Sequence, residues 1–579
     1  MSSECNYFGI DIGTATSCCY QWSNNDACVS NSYRPLTLSV VLLGKKTKVG
    51  EDAINSYRFD NQCLLYNVKR IIGRDVTEIP QNDKDHFPYK LGVREDRTAI
   101  ILPQGNKANK SYIFPEDVYT EIVKSILPPN YDQLKGKKCV VVTVPEKFNA
   151  KQRAATINSV ECLGFDEVRL FSEPCAAAFS YFHKEHIQNS QTFVVFDFGG
   201  STLDIALIHF ADHNFKVLAV GGHPYLGGID IDNAIIDLIK EKFRITQKIS
   251  PMLEWKLKLK SESIKKALAY SSQIVIRNTE LFEDDLVPEA QITISKAELD
   301  RVIDPVLTSA VDMAYQEIST TAEFKRGEIS MILLTGGTSQ IQRLDRMVQE
   351  RFPLCKISKI DQMSVARGAC LQAHWEFCVS ANNRSSVDLL MQPIGIRTTD
   401  GITEVLPSTT KIGEEVTVPF NFYPSYDYAQ ELLISLFQGD WERFEGQSNI
   451  GTIKINIPHP DRIDNVCITL ILSYNKDCLL CFRALVNNQE VYYTTIHDRW
   501  HSTNPYYESQ NKEVVNRLIS DIRIHAEYSP DGKRIINEML ALQERRHNNQ
   551  LSEIEYITGL RSLEQQVTSY LSTSIIVKK

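Results

Sequence analysis

Apolar runs bounded by turn residues alternate with helical patterns over about the first 380 residues of the chain. Residues 138–145 form a mostly β-branched, apolar run that predicts a buried strand, whereas residues 175–181 have the composition of a buried helix. This alternation is typical of layered α/β domains. From about residue 392 to 500 the pattern changes to short strands and turns, as in residues 432–437, and predicts a β-sandwich or barrel-like domain.

Boundaries follow from changes in this pattern. The polar residues 380–386 end the first pattern, and the short apolar segment 387–391 follows them. After Pro505 three apolar stripes with helical spacing predict three helices that pack on one another: Val514, Leu518 and Ile522; Ile535, Met539 and Leu542; and Ile554, Ile557, Leu560, Leu563 and Val567. The predicted domains are therefore 1–383, a linker 384–391, a β-domain 392–504 and a helical region 505–579.

Composition narrows the class of protein. A chain of 579 residues exceeds a single core, and its apolar (43%) and charged (23%) fractions are those of a globular protein. The net charge of −9 argues against nucleic acid as a partner, and the absence of a long apolar stretch argues against a membrane. Strand residues begin near Tyr7, which leaves no room for a signal peptide, so we expect a cytoplasmic protein. Cys478 and Cys481 form a C-x-x-C pair without a second pair, which favours core thiols over a zinc site.

Two glycine-rich loops carry the strongest chemical signal, because each follows an apolar strand that ends in an aspartate, Asp11 or Asp197. The loop residues are Gly13, Thr14, Ala15 and Thr16 in the first and Gly199, Gly200, Ser201 and Thr202 in the second. Backbone N–H groups of such a turn can form an anion-binding concavity, and the aspartate can hold a hydrated Mg²⁺. One copy also describes an ordinary hairpin, but two copies predict two phosphate clamps facing each other across a cleft.

Two further segments are candidates for ligand contact. Gly336, Gly337 and Thr338 form a third glycine turn after an apolar run, and paired glycines allow a flat ligand to approach the backbone. Glu262, Lys265 and Lys266 share one face of a predicted helix, a pattern that by itself favours a solvated charged face.

These segments resemble the heat-shock protein 70 chaperones of the actin-like ATPase superfamily, strongly to about residue 380 and more weakly beyond it. The segments that match family signatures are 67–74, 142–153, 172–178 and 226–233. The resemblance implies an α/β actin-like two-lobed ATPase domain, followed by a β-sandwich domain and a short C-terminal helical region. It also implies slow hydrolysis of ATP to ADP with Mg²⁺.

Residue roles follow from the resemblance alone. Lys69, Glu173, Asp197 and Thr202 would form the catalytic set, and Asp11 and Asp197 would orient the waters of Mg²⁺. The two glycine loops would wrap the phosphates. Glu262, Lys265 and Lys266 would meet the ribose and base, and the third glycine turn would underlie the adenosine. For Lys69 the residues alone are equally compatible with a surface lysine.

The resemblance also implies partners beyond the nucleotide. Residues 387–390 would be a linker whose docking couples the ATP state to a peptide groove in the β-domain, relayed through Pro145 and Arg153. The groove would bind unfolded or extended apolar segments of proteins, with Leu432 as its pocket residue. J-domain co-chaperones and nucleotide-exchange factors are the further partners that family membership would imply.

Several positions depart from the family pattern: Ala15 stands for a threonine, Ser201 for a glycine, Tyr225 for a histidine, Ala269 for a serine, Gln340 for an arginine, Gln362 for an aspartate and Thr399 for a bulkier residue. The linker is also altered. These departures keep open an alternative, a degenerate relative that acts as a nucleotide-binding regulator or exchange-factor-like adaptor with little hydrolysis. A sugar-kinase relative is a third hypothesis, which the β-domain and residues 142–152 oppose.

Overall fold

A computed structural model describes the chain in segments. It covers residues 5–23, 26–30, 34–44, 46–57, 63–87, 89–93, 99–102, 112–187, 189–211, 214–246, 249–267, 271–282, 289–378, 387–388, 392–398, 401–419, 421–424, 427–439, 448–476, 479–495, 532–547 and 576–578, with positions 519, 522, 556, 560, 562, 563 and 566. The predicted boundaries at residues 383, 391 and 504 lie outside these segments, so the division into domains stays a prediction.

The first lobe is built on a mixed sheet. Its elements are β1 (Cys5–Ile12), β2 (Thr16–Ser23), β3 (Asp26–Val29), β4 (Thr37–Leu38), β5 (Val41–Leu43), β6 (Lys48–Val49), α1 (Glu51–Ser56), β7 (Cys63–Leu65), α2 (Gln81–His86), β8 (Lys90–Val93), β9 (Ala99–Leu102), α3 (Pro115–Ile126), β10 (Lys137–Val144), α4 (Ala150–Glu161), β11 (Glu167–Ser172) and α5 (Glu173–Lys184). The main sheet has the order β11-β10-β1-β2-β3, with β4 also paired to β2. Alternate apolar residues such as Phe8, Ile10 and Val142 are fully buried on one face of it.

The second lobe repeats this arrangement. Its elements are β12 (Gln191–Phe198), β13 (Leu203–Ala211), β14 (Asn214–His223), α6 (Gly228–Lys242), α7 (Pro251–Ala267), β15 (Gln273–Arg277), β16 (Gln291–Ser295), α8 (Lys296–Ser319), α9 (Ala322–Lys325), β17 (Ile329–Thr335), α10 (Gln342–Arg351), β18 (Lys356–Lys359) and α11 (Ser364–Cys378). β12 pairs antiparallel with β13 and parallel with β17, as β1 does with β2 and β10. The predicted α/β character of this part of the chain is therefore confirmed.

Close packing of α5 and α11 joins the two lobes. A Cβ at Gly368 in α11 would lie 1.8 Å from the carbonyl oxygen of Ala176 in α5, so only glycine allows this helix contact. A Cβ at Gly9 in β1 would lie 2.0 Å from the backbone nitrogen of Cys370. One apolar cluster includes residues of both sheets and both helices, which fixes the sheets relative to each other.

The β-rich region contains two antiparallel sheets with one shared core. Its strands are β20 (Ile394–Thr398), β21 (Gly401–Leu406), β22 (Val416–Thr417), β23 (Asn421–Tyr423), β24 (Glu431–Gln438), β25 (Ser448–Asn456), β26 (Ile468–Tyr474), β27 (Leu480–Val486) and β28 (Gln489–Thr495), preceded by β19 (Val387–Asp388). One sheet has the order β21-β20-β24-β25, and the other contains β28-β27-β26-β23. Ile396, Ile434, Leu470 and Phe482 are fully buried between them. Cys481 lies in β27, as the strand pattern predicts, whereas Cys478 is outside the described residues.

The β-rich region contacts the first lobe. The backbone N–H of Ala150, at the start of α4, donates to Oε1 of Gln438 at 3.0 Å, and both residues are buried. Leu479 is only 1% exposed and belongs to the apolar cluster of the first lobe. The segment that precedes the β-rich region contacts the second lobe. Its strand β19 pairs in parallel with β14 and so extends the sheet of that lobe.

The remainder of the chain is described only in part. α12 (Gly532–His547) carries the second predicted stripe, and Ile535 and Met539 are buried against Ile522, Leu560 and Leu563. The other positions of the first and third stripes, namely Val514, Leu518, Ile554, Ile557 and Val567, lie outside the described residues.

β29 (Ile576–Lys578) is extended and pairs with β23, although it falls in the region predicted as helical. Its β-branched residues favour a strand once a sheet edge is available. Within the described segments, no helix is both long and apolar enough to cross a membrane.

Candidate nucleotide site

A cavity of about 1040 Å³ lies between the lobes and receives residues from both. All the predicted site residues except Ser201 line it: Asp11, Gly13, Thr14, Ala15, Thr16, Lys69, Glu173, Asp197, Gly199, Gly200, Thr202, Glu262, Lys265, Lys266, Gly336, Gly337 and Thr338. Segments that are far apart in the chain therefore meet in one place. The cavity is large enough for a nucleotide-sized ligand.

The turn between β1 and β2 forms the first glycine loop. A Cβ at Gly13 would lie 2.2 Å from the carbonyl oxygen of Thr16, so the turn requires glycine. Oγ of Ser39 donates to the carbonyl oxygen of Gly13 at 2.6 Å and holds the loop from behind. Asp11 ends the strand beside it, where Oγ1 of Thr143 donates to Oδ1 of Asp11 at 3.1 Å.

The turn between β12 and β13 forms the second loop. The backbone N–H of Gly199 donates to the carbonyl oxygen of Thr202 at 3.0 Å and closes the turn. Asp197 and Asp204 are direct neighbours in the register of the two strands. The second loop therefore has two buried carboxyl groups beside it, of which Asp197 lines the cavity, and the first loop has one, Asp11.

The two loops touch each other. A Cβ at Gly200 would lie 3.5 Å from Cβ of Ala15, which is an ordinary van der Waals distance. Behind this contact, the buried hydroxyl groups of Thr14 and Ser201 share a hydrogen bond. The facing arrangement predicted from the repeated loops is therefore present in the structure, and two positions that depart from the family pattern, Ala15 and Ser201, lie at the contact.

Lys69 is a buried cation that lines the cavity. Its Nζ lies 2.6 Å from Oε1 of Glu173, and both side chains are buried. Although burial opposes its charge, Glu173 and Asp11 raise the pKa of Lys69, so it remains protonated. Burial, with the nearby carboxyl groups of Asp204 and Asp11, raises the pKa of Asp197 to about 8. Lys69 thus interacts with four carboxyl groups, and Lys147 with one of them, Asp204. The carboxyl groups still outnumber these two lysines, an imbalance that a further cation would relieve.

The donor set fits a hydrated Mg²⁺. Within the described segments, no three metal-binding side chains are close enough to ligate an ion together. Mg²⁺ keeps several of its waters and is commonly held through one or two carboxylates and substrate phosphates. Asp11 and Asp197, on the two strands that lead into the loops, are the carboxylates that would hold it.

The third glycine turn packs directly on the second loop. Gly336 has a φ of 87°, and a Cβ there would lie 2.6 Å from Oδ1 of Asp197. Oγ1 of Thr338 donates to the carbonyl oxygen of Gly199 at 2.7 Å. Gly337 leaves an open face toward the cavity, and the nearest atom to a Cβ there would be Oε1 of Gln362, 3.6 Å away.

α7 carries the charged residues at the same end of the cavity. Nζ of Lys265 lies 2.7 Å from Oδ1 of Asp232 in α6, and Nζ of Lys266 lies 2.6 Å from Oε1 of Glu262. Asp232 holds Lys265 against the turn at Gly228, whose carbonyl oxygen is 3.5 Å away. The charged face predicted on this helix is therefore turned toward the cavity.

Sequence reasoning assigned no role to the residues that connect the lobes. Arg70 is 1% exposed and pairs with Asp83 at 2.6 Å in the first lobe and with Asp230 at 2.9 Å in the second. Lys258 of α7, in the second lobe, also bonds to the first lobe, since its Nζ donates to Oδ1 of Asn67 at 3.0 Å. Only the family signatures in residues 67–74 and 226–233 pointed to this region, because the partners are far away in sequence.

The comparisons with known proteins agree with this geometry. The profile of the Hsp70 protein family matches residues 7–548. A heat shock cognate HSP70 protein of Trypanosoma brucei brucei is 26% identical over 503 residues, which cover 82% of this chain and 72% of the relative. A heat shock 70 kDa protein of Neurospora crassa is 25% identical over 486 residues, which cover 81% and 74%. The chain therefore belongs to the Hsp70 family, whose members are chaperones with ATPase activity, and the identities mark it as a divergent member.

Proposed function

We propose that this chain binds ATP with Mg²⁺ between its lobes, hydrolyses it slowly, and couples the nucleotide state to the binding of extended apolar protein segments. The observation that carries the proposal is that the two glycine loops contact each other and line one cavity together with the Lys69–Glu173 ion pair. Family membership supports the general activity, and the residues of the cavity supply the groups that it needs.

The phosphates would lie between the two loops. Gly13 to Thr16 and Gly199 to Thr202 would contact them from opposite sides, and Asp11 and Asp197 would hold the waters of Mg²⁺ beside them. The ion neutralises developing phosphate charge, which is the main requirement of phosphoryl transfer. At the other end, Glu262, Lys265 and Lys266 would meet the sugar and base, and Gly336 to Thr338 would face the adenosine.

Lys69 would place the attacking water near the terminal phosphate. Glu173 fixes the position of Nζ at 2.6 Å, so the lysine does not depend on the ligand for its orientation. Asp197 and Thr202 complete the set, because both lie at the second loop on the floor of the same cavity. No residue of this set departs from the family pattern, which favours hydrolysis over the alternative of a nucleotide-binding regulator.

The β-rich region would bind the extended segment, with Leu432 at the pocket. Leu432 is buried in the shared core of the two sheets, near the start of β24. Coupling would run through two contacts: β19 on the edge strand β14, and Gln438 against the start of α4. The pairing of β19 with β14 supports coupling in spite of the altered linker sequence.

Single-turnover hydrolysis of ATP, with and without an unfolded peptide, tests the proposal. We expect hydrolysis that the peptide accelerates, and no turnover in Lys69→Ala, which should still bind ATP. ATP retention by Lys69→Ala serves as the control that the cavity is folded. Tight binding of ATP without turnover in the wild-type chain would refute the ATPase and support the regulator, and phosphorylation of a small sugar would support the kinase.

A further inference from the structure

β29 completes a sheet of the β-rich region from far along the chain. Its three residues pair antiparallel with β23: Lys578 with Asn421, Val577 with Phe422 and Ile576 with Tyr423. On its other side β23 pairs only through Phe422 with Ile468 of β26, in the described part of the chain. In the order β28-β27-β26-β23-β29, β23 would be the edge strand of its sheet without β29.

An edge strand offers its backbone N–H and C=O groups to any extended segment that can lie beside it. Residues 575–579 read Ile-Ile-Val-Lys-Lys, an apolar β-branched run followed by two lysines. Such residues have high strand propensity, and the lysines match the net negative charge of the chain. No short hairpin imposes this pairing, since β28 and β29 are separated by the whole of α12 and its flanking residues.

The edge strand β23 comes directly before the strand that carries the proposed pocket residue. β23 ends at Tyr423 and β24 begins at Glu431, so Leu432 follows the edge strand after one connection. Phe422 in β23 and Leu432 in β24 belong to the same core cluster. Binding by strand addition uses main-chain hydrogen bonds for affinity and a side-chain pocket for selectivity; β23 would supply the main-chain groups, and Leu432 is the proposed pocket residue.

We propose that the segment Ile576–Lys578 occupies, within its own chain, the edge that receives extended apolar segments, and competes with them for it. The inference rests on the proposed peptide binding and adds its regulation. A tethered segment acts at an effective concentration on the order of 1 mM. If its intrinsic dissociation constant is about 0.1 mM, it would lower the apparent affinity of the chain for an added peptide roughly tenfold.

Peptide binding by a double variant tests this competition. Ile576→Glu/Val577→Glu places two charges in the paired segment, and Leu354→Glu adds a charge at a residue that is 90% exposed in the second lobe. The probe is a fluorescein-labelled leucine-rich heptapeptide unrelated to this chain. We expect the double variant to bind it about tenfold more tightly than the wild type and Leu354→Glu, and a synthetic peptide of residues 572–579 to displace it.

The outcomes separate the inference from the function on which it rests. Equal affinity of the wild type and the double variant would overturn the inference and leave peptide binding intact. Binding of the probe by neither chain would overturn peptide binding, and the competition would fall with it. Thermal unfolding of each variant, compared with the wild type, establishes that the changes in affinity do not come from unfolding.

A disulfide trap tests the placement itself. Asn421 and Lys578 are opposite each other in the register, where Cβ atoms lie about 4.5–5.5 Å apart, close to disulfide geometry. In Asn421→Cys/Lys578→Cys, oxidation by diamide should join these two cysteines, as mapped by mass spectrometry, and abolish probe binding until dithiothreitol is added. Thr417→Cys/Lys578→Cys is the mismatched control. Equal cross-linking in both pairs would contradict the proposed placement.

Discussion

Replacement of Lys69 by methionine tests whether the cavity floor depends on one buried cation. Nζ of Lys69 lies 2.6 Å from Oε1 of Glu173, and the two side chains are 6% and 7% exposed. Removal of one partner of a buried ion pair costs about 3–5 kcal/mol, because the other charge stays buried without compensation. We therefore expect a loss of about 3–5 kcal/mol for Lys69→Met.

Lys124→Met provides a matched control in the same lobe. Lys124 pairs with Glu121 at 2.9 Å, but its side chain is 53% exposed, and such a pair contributes about 0.2–1 kcal/mol. Urea-dependent hydrogen exchange of the β1 amides measures the opening free energy of the lobe in each variant. In the Lys69→Met background, Glu173→Gln should recover part of the lost stability, because it removes the carboxylate that Lys69 no longer compensates. A loss no larger than that of Lys124→Met, or a further loss from Glu173→Gln, would refute the reasoning.

Three further predictions concern the helix contact, the β-rich region and the lobe bridge. Gly368→Ala should destabilise the chain by about 1–3 kcal/mol or more in thermal unfolding, because its Cβ would lie 1.8 Å from the carbonyl oxygen of Ala176. Gly44→Ala is the control: no atom would lie nearer than 3.7 Å to its Cβ, so stability should change by less than about 0.5 kcal/mol. Gln438→Leu removes the acceptor of a buried N–H and should reduce peptide stimulation of ATP hydrolysis several-fold without changing the affinity for peptide. Burial lowers the pKa of Lys258 to about 7, so above that pH the folded chain binds fewer protons than the unfolded chain. Stability should therefore rise with pH, and urea unfolding should show a rise of about 2 kcal/mol from pH 7 to 9 relative to Lys258→Met.

Local chemistry made the cavity predictable from sequence. The two aspartate-glycine loops require a tight turn wherever they occur, and their repetition indicated that two lobes would face each other. The depth of Lys69 was not predictable, because the residues beside it fit a surface position as well as a buried one. Its burial depends on Glu173, which is more than a hundred residues away in the chain.

Pairings over long sequence distances account for most of what the sequence did not reveal. Arg70 meets carboxylates of both lobes, and β29 meets β23 across most of the last third of the chain. Neither contact leaves a periodic pattern, because a single residue or a three-residue strand is too short to show one. The apolar residues 575–577 were visible in the sequence, but only a free strand edge explains why they are extended.

Two departures from the family pattern, Ala15 and Ser201, change the chemistry of the glycine loops rather than their backbone. Neither Ala15 nor Ser201 has a positive φ, so a Cβ at these positions causes no backbone strain. Ser201 instead adds a hydroxyl group that shares a hydrogen bond with Thr14 of the opposite loop. This is a direct bond between the lobes that glycine could not make. Ser201 is 1% exposed, so its hydroxyl group makes this bond away from solvent. Closure of the two loops on each other is therefore partly built into this chain, and a ligand between them has to compete with or extend that bond.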